Sequence, residues 1–134
     1  MRTVQLNQED MGKVRELYES VMANACHGLF FREGAIIGIQ IAEEAQKEKE
    51  RYFERAGEIL KERGWVEEIE FREEGARVKG SIEATGRPGS PTCHRLRGII
   101  RELYERKSST HLNCFEEECA SAGGNFCRFL VKVA

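Results

Sequence analysis

Four of the five cysteines, Cys93, Cys114, Cys119 and Cys127, fall late in the 134-residue chain, interleaved with His94, His111 and the acidic run Glu116-Glu117-Glu118. Cys119 and Cys127 flank Ser121-Ala122-Gly123-Gly124-Asn125, a turn-forming sequence that lets two thiols face each other across a hairpin. Two facing thiolates are soft donors for one metal ion, and zinc would complete its tetrahedron with two further ligands. Cys93 is the first candidate. Glu116, Cys114, His111 and His94 compete for the other place. The ladder C-x25-C-x7-C is looser than the tight C-x2-C knuckles, and thiols that serve only as small apolar core residues are its bland alternative.

These donors need elements to hold them. Thr92 can cap a helix over 92–107 whose face is Leu96, Ile99, Ile100 and Leu103. Cys93 then stands on the first helical turn, where the helix dipole favours the thiolate that a metal requires. A strand over 111–117 and a closing strand over 126–133, with Cys127, Phe129, Val131 and Val133 on one side, carry the remaining donors.

Upstream, residues 3–6 are a short strand or an extended entry. Asn7 offers a cap before Gln8-Glu9-Asp10, and Met11, Val14, Leu17, Tyr18, Val21, Met22 and Ala25 recur at helical spacing. That stripe is read as core, a dimer interface included. Cys26 and His27 are neighbours whose side chains point apart, so they are read as a packed thiol and a capping or exposed imidazole rather than a metal pair. Residues 29–60 read as helical with a joint near 45–49, and Gly34, Ala35, Gly38 and Ala42 allow another element to approach closely. Each such glycine costs about 1 kcal/mol of helix propensity against alanine, which close packing must offset. Gly64 ends this region, strands follow over 65–72 and 76–84 around a turn at 73–75, and a Gly/Pro-rich loop over 86–91 holds both prolines. The expected fold is α+β, an antiparallel sheet of about four strands with helices packed on it.

A chain of 134 residues with 40% hydrophobic composition supports one domain: residues 1–28 as an N-terminal dimerisation helix and 29–134 as a core with the metal site. With 21 basic and 23 acidic residues the net charge is −2, which gives no field for direct nucleic-acid binding. No run of about 20 apolar residues spans a bilayer, and the chain shows no leader pattern, so a cytoplasmic protein is expected. Five clustered cysteines suit a metal in a reducing compartment better than a disulfide framework.

The segment Cys93-His94-Arg95-Leu96-Arg97-Gly98-Ile99-Ile100, then Glu116-x-x-Cys119, then Gly123-Gly124-Asn125-Phe126-Cys127-Arg128-Phe129, resembles the C-terminal half of the 4-vinyl reductase, or hydrocarbon-binding, domain. Upstream, Phe30-Phe31-Arg32-Glu33-Gly34 opening a long helix adds weaker support. This family is similar to the sensor domains of phenol-responsive transcriptional activators and, distantly, to small Golgi tethering-complex subunits. The resemblance implies a structural zinc held by Cys93, Glu116, Cys119 and Cys127. It also implies a hydrophobic pocket bordered by the long helix, with Ile36, Ile37, Ile39 and Ile41 in its wall. The aromatic sensors hold a phenol hydroxyl with a histidine and a tryptophan, to which neither His27 nor Trp65 aligns, so no particular ligand is implied.

A reductase needs a hydride or electron source, yet no G-x-G-x-x-G follows a strand and no haem or flavin signature is present. Zinc closed by four protein ligands offers no open position for catalysis. The expectation is therefore a homodimeric module that binds a small hydrophobic or aromatic molecule and signals through an effector protein on another chain. An enzyme or accessory factor in tetrapyrrole or aromatic metabolism, or a scaffold subunit without ligand, is the alternative.

Overall fold

The computed structural model describes residues 1–84, 91–118 and 126–134. The order of elements is α1 (Gln8–Met22), α2 (Ala25–Gln46), a single 3-10 turn (Lys49–Arg51), α3 (Tyr52–Glu62), β1 (Glu68–Phe71), β2 (Gly75–Lys79), α4 (His94–Ser108), β3 (Leu112–Glu118) and β4 (Cys127–Val133). All neighbouring strands run antiparallel in the order β1-β2-β4-β3, which gives the expected α+β class.

α1 starts at Asn7, as its sequence predicts. The Asn7 side chain accepts the Asp10 N–H at 2.7 Å, and the Asp10 carboxylate accepts the Asn7 N–H at 3.4 Å, a reciprocal capping box. Residues 3–6 form no strand. Ala23, at φ 52°, turns the chain sharply into α2. The apolar stripe of α1 is only half-buried at Met11 and Val14, while Leu17 and Val21 are 59% and 77% exposed.

The body is organised by α2 lying against α4. A Cβ at Gly34 would meet the Arg95 Cα at 2.8 Å, one at Gly38 the Ile99 Cα at 3.0 Å, and one at Gly98 the Ala35 nitrogen at 2.8 Å. The helices thus pack backbone to backbone, the close approach that offsets the propensity lost at these glycines. Guanidinium groups of α4 complete the seam: Arg95 lies 4.3 Å from the Phe30 ring centre, and Arg97 and Arg101 lie 4.2 and 4.9 Å from that of Phe31. The joint between α2 and α3 falls at 47–51, slightly later than expected. Arg51 there pairs with Glu48, Glu54 and Glu58.

Ile41, Ile59, Leu60, Leu96, Ile100 and Leu103 form one core with Val78 and Phe129 of the inner sheet face. The buried Tyr52 hydroxyl donates to the Leu103 carbonyl at 2.6 Å, which satisfies its polar end. On the outer face Arg77, Arg128 and Lys132 alternate with these inward residues.

β2 is shorter than the predicted 76–84 strand. Gly80, at φ 68°, breaks the extended run and reverses its phase. Ser81 and Glu83 therefore turn inward, and Ile82 and Ala84, which in an unbroken strand would share the face of Ala76 and Val78, are only half-buried.

Candidate metal centre and neighbouring cleft

That reversed phase brings polar side chains to the start of α4. Cys93 occupies the N-cap position of α4, Cys127 begins β4, and Glu116 lies on β3 just before the register shift between Glu116 and Glu118. Their ligating atoms all lie within 4.8 Å of one another, with the thiols of Cys93 and Cys127 0% and 1% exposed and 3.5 Å apart. Glu116 Oε1 also accepts the Cys93 N–H at 3.2 Å, which fixes the carboxylate over the helix start. The donor chemistry fits zinc: two buried thiols and a carboxylate supply three of the four ligands a structural site needs. The α4 N-terminus, the positive end of the helix dipole, further favours the thiolate at Cys93.

The competing donors of the sequence stand outside this group. His111 is exposed and pairs with Glu105 at 3.2 Å. Cys114 is buried on the inner face, and burial pushes its thiol up to about 12. His94 stacks on His27, ring centres 3.9 Å apart, and burial, aided by His27 and Arg97, pushes its imidazole down to about 4. Cys119, the remaining ligand expected from the sequence, lies outside the described residues.

His27, read from sequence as capping or exposed, does neither: its Nε2 lies 2.6 Å from Glu19 Oε2, tying α2 to α1. Cys26 is packed as expected. Glu83 went unnoticed in the sequence. Its Oε1 accepts the Leu96 N–H at 2.8 Å and its Oε2 the Arg95 N–H at 3.2 Å, so it caps α4 from outside the helix. Thr92, expected to cap, instead donates its hydroxyl to the Glu83 carbonyl at 2.7 Å. Burial outweighs these partners and pushes the Glu83 carboxyl up to about 7.

On the far side of the 81–84 segment, α1 and the residues before it roof a cleft. One part, of about 480 Å³, is lined by Met11, Arg15, Phe30, Ile82, Glu83 and Arg95 among others. The adjoining part, of about 760 Å³, shares Met11, Ile82 and Arg95 and adds Val4, Leu6, Val14, Ile37 and Trp65. The larger part sets these apolar side chains against the charged Asp10, Glu33, Arg63 and Arg95, and the smaller part is lined chiefly by charged and polar residues. Of the four isoleucines assigned to a pocket wall, Ile37 lines this cleft, Ile36 is 68% exposed, Ile39 is half-buried and Ile41 lies in the core. Between α2, α3 and the sheet, the space is filled by side chains of the core. Ile82 gave no signal beyond its place in an alternating run, because only the turn at Gly80 directs it to the cleft.

Residues 75–133 match the family model of the V4R domain, which bears out the resemblance over the segment that carries β2, α4, β3 and β4. No curated protein sequence matches the chain. The crystal structure of the phenol-responsive sensory domain of the transcription activator PoxR with phenol is similar, with a TM-score of 0.81 at 19% identity over 99% of this chain and 77% of that one. A vinyl-4-reductase family protein from Methanocaldococcus jannaschii gives a TM-score of 0.68 at 14% identity, covering 99% and 85% of the two chains. At these identities the likeness is one of fold.

Proposed function

We propose that this chain, whose residues 75–133 match the V4R domain, is a binding module for a small apolar or aromatic molecule, with a structural zinc beneath the binding site. The observation that carries the reading is the apolar strip of Met11, Val14, Ile37, Trp65 and Ile82 in the cleft under α1, in a fold shared with a domain solved with phenol. Met11, Val14, Ile37, Trp65 and Ile82 form the binding wall; Ile36, Ile39 and Ile41 act at most through the packing of α2.

Zinc is assigned to Cys93, Glu116 and Cys127, with Cys119 as fourth ligand, and would supply a closed structural link between α4 and the β3–β4 pair. The exposed stripe of Leu17, Tyr18, Val21 and Met22 on α1 is assigned to a second copy, giving a homodimer. Because the same helix roofs the cleft, ligand occupancy changes how α1 sits, and an effector protein on another chain reads that change. Among the described residues no helix is long and apolar enough to cross a membrane, and a cytoplasmic location is part of the proposal.

Trp65 is the chain's single tryptophan and lines the cleft, so its emission reports occupancy directly. Titration with phenol, toluene and naphthalene should give a saturable change for at least one of them, weakened tenfold or more by Ile37→Glu. Linear, non-saturating responses to the whole set would remove the binding reading.

A further inference from the structure

Ser81 belongs to no motif, and its place against the thiols follows only from the turn at Gly80. Its Oγ lies 3.2 Å from Cys93 Sγ and 3.2 Å from the Glu83 nitrogen. The amide can only donate in the second contact, so the Ser81 oxygen accepts there and its own proton is free to point at sulfur. At 3% exposure, Ser81 has little bulk water competing for that proton. While Cys93 is a thiol, either group can donate across the 3.2 Å gap; once the sulfur is a thiolate, only Ser81 can.

We infer that Ser81 is a positioning residue of the thiol centre, a hydroxyl donor that holds and tunes the Cys93 sulfur as a metal ligand. The inference rests on the metal reading proposed above. A hydrogen bond to a metal-bound thiolate withdraws charge from sulfur and fixes its rotamer, and partners of this kind typically contribute 10- to 100-fold in metal affinity. The donor is itself held firmly. Thr92 Oγ1 donates to the Glu83 carbonyl at 2.7 Å, and the Glu83 carboxylate is bonded to two amides of α4. The 81–83 segment therefore moves with the helix that carries Cys93, and the distance between hydroxyl and sulfur is set by the fold.

The test uses the full chain loaded with Co²⁺ as a spectroscopic probe and Zn²⁺ in competition with a chromophoric chelator. Ser81→Ala should shift the sulfur-to-cobalt charge-transfer band to lower energy and weaken Zn²⁺ binding by about tenfold or more. Ser81→Thr, which keeps the hydroxyl, should restore both. Ser81→Gly removes the same group and serves as a second folded comparison, with far-UV circular dichroism as the check on each variant. An unchanged band and affinity in the hydroxyl-free variants would overturn the inference while leaving the metal site standing. An affinity loss with the band unmoved, or one that threonine does not reverse, would assign Ser81 to packing and overturn it equally. Failure of the wild-type chain to take up one metal ion per chain would remove the metal reading, and this inference with it.

Discussion

Replacing Gly98 by alanine sets two effects of known size against each other. In a helix interior the change gains up to about 1 kcal/mol of propensity. At this position, however, the new methyl would stand 2.8 Å from the Ala35 nitrogen and closer still to the Phe31 carbonyl oxygen. Those obstacles are backbone atoms of α2, which no rotamer change can move aside. The helices must separate, and overpacking of this kind costs roughly 1–3 kcal/mol, with more lost as the contacts along the seam lengthen. The net expectation is a destabilisation of about 1–2 kcal/mol, or a fall in Tm of roughly 3–8 °C for a chain of this size. Urea denaturation followed by circular dichroism measures it. Gly28→Ala is the matched control, since a Cβ there meets nothing within 4 Å, and it should stabilise by up to about 1 kcal/mol. Gly34→Ala should resemble Gly98→Ala, and the double variant should cost less than the sum, because the first substitution opens the gap that the second needs. A Gly98→Ala variant as stable as Gly28→Ala would refute the account of the α2–α4 seam as backbone-to-backbone packing.

The Glu83 carboxyl is raised by burial from 4.5 to about 7, so the folded state holds its proton more tightly than the unfolded chain. The stability this contributes is complete below about 4.5 and is lost as pH rises through about 7. Relative to Glu83→Gln, which cannot titrate, the wild-type chain should be more stable at pH 5 than at pH 8 by roughly 2–3 kcal/mol, and an equal difference at both pH values would contradict the shift. On α1, Leu17→Glu with Val21→Glu changes side chains that are largely exposed, so monomer stability should stay within about 0.5 kcal/mol. The same pair should abolish self-association in sedimentation velocity if the stripe is the dimer contact; an unaltered dimer would place the interface elsewhere.

Local signals were well recorded in the sequence. Asn7 and the acids after it marked the start of α1, the Gly34 and Gly38 spacing marked a close helix neighbour, and alternation marked β4. These features are decided by residues within a few positions of one another, where capping, propensity and periodicity act directly. What the sequence concealed depends on distant partners. Glu83 caps a helix that begins 11 positions later. Ile82 and Ala84 continued a strand pattern whose phase the backbone at Gly80 reverses, and nothing in a periodicity count registers a positive φ. Within the candidate site, the identities of Cys93, Glu116 and Cys127 were readable as donors, but the separation of His94, His111 and Cys114 from them was not. It follows from distant partners and strand position: His94 adjoins Cys93 but stacks on His27, Cys114 shares the Glu116 face of β3 two residues back, and His111 pairs with Glu105. The location of the cleft was equally hidden, because amphipathicity shows that α1 has an apolar side without showing how incompletely the body covers it.

β4 is the last of the described strands and an interior one in the sheet, bonded to β2 on one side and to β3 on the other. During synthesis from the N-terminus, β1 and β2 can close as a hairpin early, but β3 has no sheet neighbour among the described strands until residues 127–133 arrive. Without β4, β2 and β3 each lack a sheet neighbour, and Val78 and Cys114 lack their cross-strand partners Cys127 and Val131. Unpaired edges of this kind can pair with other chains, so a chain in which β4 is out of place is open to misassembly. The strand that joins β3 to the β1–β2 hairpin is thus the same one that carries Cys127 to Cys93.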